Sequence, residues 1–221
     1  MNFETPFGGK YRRRYVGWLV LSGLGLLAGC GSLLPEPPAQ PALFVLDDTA
    51  AISADRPATL PLIAAVATLV VSEPRAAAGY GTRQIAYVRK SNQLEYFAFS
   101  QWVEFPALML APMLAHAIER TGAFRAVVRA PTLVAGDMRL ETELIRLHQD
   151  FSVVPSRARL TLRAVLIDTA TRRVIASREF DEEAASASDD PAGGVTAANE
   201  VVRRVAAEVG AFCAQGVASR K

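Results

Sequence analysis

Cysteine is nearly absent: Cys30 and Cys213 are the only two in 221 residues. At most one disulfide is open to the chain, which excludes the disulfide-stapled class of small secreted folds. Histidine is as scarce, with His116 and His148 far apart in sequence. A zinc site would need further ligands brought to them in space. The Gly-rich loop ending in Lys-Ser/Thr that cradles nucleotide phosphates is missing, and so is a Gly-x-Ser-x-Gly nucleophile elbow. Asp47-Asp48 and Asp189-Asp190 read as turn and cap residues rather than as a carboxylate pair for acid–base work. The chain is read as non-enzymatic, without metal or cofactor. Apolar runs are short as well. None reaches the roughly 20 residues that a membrane-spanning helix requires.

What is present begins at the start of the chain. A basic stretch holding Lys10, Arg12, Arg13 and Arg14 is followed by an apolar run from Val16 to Leu27 and then by Leu27-Ala28-Gly29-Cys30. Basic segment, apolar segment and small residues at the cut are the three parts of a bacterial secretion signal. Gly23 and Gly25 weaken the run as a permanent helix. The last four residues match the general lipoprotein signal, which leaves Cys30 as the first mature residue, with diacylation (palmitate-type acyl chains) expected on its thiol. Two acyl chains hold a protein firmly on a membrane where one does not. The residue after the cysteine is Gly31 and not Asp, which points to the periplasmic face of a Gram-negative outer membrane.

Charge of one sign is also lacking once residues 1–29 are set aside. They carry four of the 24 basic residues and one of the 22 acidic residues, which leaves 20 against 21. Nucleic acid as a partner therefore loses its electrostatic support. If Cys30 is acylated, Cys213 has no partner within the chain. It is then a buried apolar thiol or a site of intermolecular pairing, and its place beside Phe212 favours burial.

The mature chain of about 190 residues suits one well-packed domain. The chain divides into a signal (1–29), a lipidated cysteine with a Pro-rich tether (30–41), a domain (42–215) and a flexible tail (216–221). Four prolines within residues 31–41 deny that stretch a helix or a central strand. Strands are expected at 42–47, at Leu62 to Val71, and at 84–89 and 94–99, the last two forming a hairpin about 91–93. Residues 76–82 are expected as a small-residue loop. A helix starts at Pro106, carries Leu110, Leu114, Ala117, Ile118 and Thr121 on one stripe, meets a conflict at Pro112 and stops at Gly122. Phe124 to Val128 reads as a strand. From Met138 the apolar phase alternates and then slips by one residue, predicting a bulge near Leu144. Strands over 158–166 and 174–180 complete a meander. A surface loop is expected at 182–194, then an amphipathic helix carrying Val195, Ala198, Val202, Val205, Val209 and Phe212. The predicted class is α/β, with a mixed or antiparallel sheet and both helices packed on it. The other sheet face is left solvated, covered by the tether, or available to a partner.

The segment Ile85-Ala86-Tyr87, Leu94-Glu95-Tyr96-Phe97, Gln101-Trp102-Val103, Pro106, Leu110, Leu114 and Thr121-Gly122-Ala123-Phe124 resembles the central motif of the ABC-type transport auxiliary lipoproteins, the group that includes the PqiC lipoproteins. Phe44-Val45-Leu46 matches the family's Tyr-x-Leu strand. Gln101 departs from the Arg that often precedes the tryptophan. The resemblance implies a TolB N-terminal-like α/β sandwich. It also implies an accessory role beside an ABC transporter and a periplasmic MCE-domain protein, in a system moving phospholipid or other hydrophobic compounds between inner and outer membranes. A lipid-binding shuttle with an internal cavity and a structural envelope lipoprotein are the alternatives, and a homo-oligomer is left open.

The candidate docking residues come from an aromatic cluster of Tyr80, Tyr87, Tyr96, Phe97, Phe99, Trp102 and Phe105. Both faces of the 94–99 strand carry bulk, so one face is core and the other needs a cover or a partner. Tyr87, Tyr96 and Trp102, framed by Arg89, are the expected partner-binding residues. Cys30 is the expected lipidation site.

Overall fold

The slip in the apolar phase after Leu144 shapes the longest strands. In the computed structural model, which describes residues 40–47 and 67–219, strand β7 (Met138–Asp150) pairs antiparallel with β8 (Arg157–Asp168), and the register shifts between Leu144 and Arg146. Met138, Leu140 and Leu144 face the core before the bulge, and Leu147 faces it after. One extra residue restores the apolar face that strict alternation would have lost. The expectations for the signal, for Cys30 and the tether up to residue 39, and for residues 48–66 lie outside the described residues.

β7 is the spine of a nine-stranded mixed sheet. On one edge it carries β8, which carries β9 (Arg173–Ala185) in turn. On its other edge it takes three strands in succession, all parallel to it: β2 (Thr68–Val71), β3 (Arg75–Ala76) and β4 (Gln84–Lys90). β5 (Gln93–Trp102) returns antiparallel along β4, and β1 (Ala42–Phe44) lies parallel on β5. β6 (Ala126–Arg129) lies parallel on β2, which is buried along its whole length.

Both described helices pack on the core face, as α1 (Pro106–Glu119) and α2 (Pro191–Ala218). α1 begins on Pro106, where a missing N–H is harmless. It buries Leu110, Leu114 and Ile118 and passes through exposed Pro112 without ending. Gly122, at φ 64°, supplies the left-handed turn after it. α2 buries Val195, Ala198, Val202, Val205, Val209 and Phe212, the stripe that its spacing predicts. These meet Leu140, Leu144, Leu160, Leu162 and Leu166 from the sheet. Cys213 is fully buried, and burial pushes its thiol up to about 12, so it behaves as an apolar side chain.

Two expectations at the end of the chain are corrected. The segment 182–194 is mostly regular: β9 continues to Ala185, and α2 begins at Pro191 with the Asp190 carboxylate accepting from the N–H of Gly193. Glu182 and Glu183 look loop-like in sequence, but each finds an arginine, Glu182 on Arg204 and Glu183 on Arg157. At the other end, α2 does not fray at Gly216. It continues to Ala218, with Gly216 buried where a side chain would sit 2.3 Å from Leu166 Cδ2.

The face of the β7–β8–β9 meander away from the helices is a charge ladder. Arg159 pairs with Asp181, and Arg163 lies between Glu179 and Glu143. Such exposed pairs each contribute only about 0–1 kcal/mol. They keep a broad sheet face wet and blunt the β9 edge against further strand pairing.

Candidate functional site

The β4–β5 hairpin carries most of the expected docking residues, and its alternation separates them. Tyr87 pairs with Glu95, whereas Tyr96 pairs with Ala86, so Tyr87 and Tyr96 project from opposite faces. Asn92, at φ 65°, makes the tight turn between the strands.

On the Tyr87 face a small aromatic cluster forms. The Tyr87 and Phe97 rings lie 4.5 Å apart, and Phe151 stands edge-on to Tyr87 at 5.8 Å. Arg89 lies over the Tyr87 ring at 5.1 Å, and its Nε donates to Glu95 Oε1 at 3.2 Å. The Tyr87 hydroxyl donates to Glu95 Oε2 at 3.0 Å. The bond from Arg89 holds the Glu95 carboxyl below its ordinary range. Phe151 and Glu95 were not legible as members of this group. Phe151 comes from the far end of β7, and its arrival depends on a pairing of β4 with β7 that nothing local announces.

On the opposite face, Tyr96 is tied down by its own chain. Its hydroxyl donates to the carbonyl of Gly79 at 2.8 Å. The 77–83 loop that supplies this carbonyl also brings Tyr80 over β7, where its hydroxyl lies 2.9 Å from Nδ1 of His148. Burial, with Arg146 nearby, lowers the His148 pKa to about 4, so this imidazole is neutral at pH 7. His116 lies elsewhere, on α1.

Trp102 belongs to the core. It is 3% exposed, packs among Ile85, Leu147, Val195 and Ala198, and pairs in register with Phe44 of β1. It is therefore not a surface residue. The β5 pairing shifts between its Tyr96 and Gln101 registers, and the end of the strand turns its indole inward under α2.

The exposed bulk lies beside these residues. Among the described residues, Leu43, Val45, Phe99, Val103 and Phe105 are five of the ten large apolar side chains left exposed. All five sit on β1, on the end of β5, or on the short links that follow them. Phe99 is the most exposed of the five at 64%. Phe105 is the N-cap of α1: its carbonyl accepts from the N–H groups of Leu108 and Met109, and its ring is left exposed. A concentration of this kind on one sheet margin differs from singly scattered surface leucine and valine.

The other surface openings differ in chemistry. A groove of about 440 Å³ runs between α1 and α2, lined by His116, Arg120 and Arg203 above Ala117, Ala206 and Ala207. A shallower recess of about 310 Å³ lies between the 76–82 loop and Tyr96. Beneath Trp102 the core leaves a cavity of only about 10 Å³.

Comparison with known proteins matches the model of one family, described as ABC-type transport auxiliary lipoprotein component, over residues 45–210. Among solved structures, the chain is similar to a Xanthomonas campestris protein of the DUF330 family. The TM-score is 0.63 at 24% identity, over 68% of this chain and 85% of that one. It is also similar to an uncharacterized protein with a TM-score of 0.60 at 12% identity, over 79% of this chain and 99% of that one. At such identities these two structures speak to the fold, and they carry the same α/β arrangement. A search of curated proteins finds no match.

Proposed function

We propose a function for this chain from the premise that it belongs to the family of ABC-type transport auxiliary lipoprotein components. It is an accessory subunit, held on the periplasmic face of the outer membrane by acyl chains on Cys30. It docks onto the MCE-domain protein of an ABC transport system that moves phospholipid or a similar hydrophobic compound across the envelope. Its work is positional: the anchor fixes one end, and a protein surface engages the other.

The observation that carries this reading is the apolar margin formed by Leu43, Val45, Phe99, Val103 and Phe105. A well-packed α/β domain does not need these side chains outside its core, and a transport accessory does need a contact face. Tyr87 and Arg89 lie on β4 beside the Glu95 and Phe97 part of β5 and supply a polar patch towards the hairpin tip. Tyr96, fixed against Gly79, and Trp102, inside the core, support the surface from behind. Among the described residues, the cavity beneath Trp102, at about 10 Å³, is too small for an acyl chain and so gives the lipid-shuttle reading no support.

Crosslinking in intact cells followed by purification of the lipoprotein tests the proposal. An MCE-domain protein should be recovered with it. Recovery of cell-wall or barrel-assembly proteins alone contradicts the reading.

A further inference from the structure

The 77–83 loop joins β3 to β4 and is pinned to the sheet at both ends by backbone bonds. Ala77 N–H donates to the carbonyl of Leu144 at 2.8 Å, and Trp102 N–H donates to the carbonyl of Arg83 at 2.7 Å. Between these ends the loop makes a turn of its own, in which Tyr80 N–H donates to the carbonyl of Ala77. Two tyrosine hydroxyls then tie the turn down. Tyr96 of β5 donates to the carbonyl of Gly79, and Tyr80 reaches Nδ1 of His148 on β7. Gly79 sits at φ 89°, where a side chain would be strained and would meet Leu94 Cδ2 at 2.8 Å. The recess of about 310 Å³ between the loop and Tyr96 leaves the turn room to move.

We propose that the contact between Tyr80 and His148 is an acid-released latch on the 77–83 loop. The latch is independent of the anchor and of the docking margin, because all of its parts lie within the sheet and the loop.

The chemistry of the bond sets its direction. A neutral imidazole accepts at Nδ1, so the Tyr80 hydroxyl gives its proton to that nitrogen. Protonation turns both ring nitrogens into donors, and Nδ1 can no longer accept. Arg146 already stands beside the same hydroxyl, so a charged His148 would place a second cation against it. The surroundings do not compensate. His148 is buried, with Arg146 and Asp150 flanking it on β7, Arg159 opposite it on β8 and Asp181 beyond on β9. Both carboxylates are engaged elsewhere: Asp150 accepts from Ser152 N–H, and Asp181 accepts from Arg159 and Thr161. β4 adds only Ile85 and Ala86 beside the ring. Burial and then Arg146 accordingly hold His148 at about 4 while the loop is closed.

With the loop swung out, the ring meets water and returns to its ordinary value of 6.5. The open form then binds a proton that the closed form refuses, so acid favours opening between pH 6.5 and 4. At pH 5.0 the opening equilibrium is raised about thirtyfold over its value at neutral pH. Opening also withdraws the Gly79 carbonyl from Tyr96 and so frees a side chain of β5.

Hydrogen exchange of the purified full-length lipoprotein at pH 7.5 and 5.0, corrected for the intrinsic rate at each pH, tests the latch. The bonded amides of Ala77 and Tyr80 report opening of the loop, and the amides of Leu160 to Leu166 in β8 report unfolding of the whole domain. The loop amides should exchange faster than those of β8 at both pH values, and about thirtyfold faster at pH 5.0 than at pH 7.5. His148→Asn should bring that ratio close to one. Tyr96→Phe should speed the loop at both pH values alike and keep the ratio. A loop rate that does not rise in acid, a rise that persists in His148→Asn, or a rise lost in Tyr96→Phe overturns the latch. So does exchange of the loop and β8 amides at one common rate, because the loop would then open only with the whole domain.

Discussion

Gly194, in the first turn of α2, lies directly against the side chain of Gln149 on β7. A methyl group on Gly194 would sit 2.2 Å from Gln149 Oε1. Gln149 is buried and donates from Nε2 to Ser156 Oγ at 2.9 Å, while Asp189 accepts from the N–H of Ser156. One glutamine thus joins the β7 end, the β8 start and the helix entry. Gly194→Ala should destabilise the fold by about 1–3 kcal/mol, because overpacking outweighs the gain in helix propensity. Urea unfolding checks this. Gly81→Ala, where the nearest atom is 3.9 Å away, should be near neutral in the same assay.

Trp102 and Phe99 lie three residues apart on one strand and should behave in opposite ways. Trp102→Ala should cost about 3–5 kcal/mol in unfolding free energy, as removal of a buried indole does. Phe99→Ser, at a side chain 64% exposed, should leave stability within about 0.5 kcal/mol and reduce partner crosslinking. Thermal melts beside crosslinking yields separate the two effects.

His148 makes the fold sensitive to acid. Its pKa falls from 6.5 in the unfolded chain to about 4 in the fold, so between those values the unfolded state binds more protons. Stability should therefore decline as pH drops from about 6.5 towards 4, by up to about 3 kcal/mol, and this loss should level off below that window. The carboxyls of Asp150 and Asp181 are also lowered, and they add a separate loss at still lower pH. Urea unfolding at pH 7.5 and 5.0 measures the first effect. His148→Asn should flatten the dependence across that window while lowering stability at neutral pH, because Tyr80 loses its partner.

Much of the fold was legible because local patterns and tertiary structure agree. The bulge at Leu144 showed as a phase slip, and the α2 stripe from Val195 to Phe212 showed as helical spacing. Several of the misses come from pairing with distant chain. Glu182 to Ala185 is strand because β8 lies beside it, and its short alanines carry little apolar signal of their own. Ala192-Gly193-Gly194 hides a helix start because alanine and glycine carry little apolar signal, although Asp190-Pro191 is a cap and first-turn signature. Of the expected docking residues, only Tyr87 and Arg89 occupy one exposed face. Whether Trp102 points in or out is decided by β1 and α2, and the strand's own sequence, with bulk on both faces, does not determine it.

Cys30→Ala should release the protein from the outer membrane into the periplasmic fraction without altering its folding. Membrane fractionation checks this, and a variant that stays membrane-bound contradicts the anchor.

The most direct measurement places a photocrosslinking residue at position 99, on the apolar margin, and in a second strain at position 163, on the charge ladder. Illumination of living cells should join position 99 to an MCE-domain protein and leave position 163 unlinked to it. Linkage from position 163 alone, or from position 99 to other envelope proteins only, would contradict docking through the Leu43–Phe99–Phe105 margin.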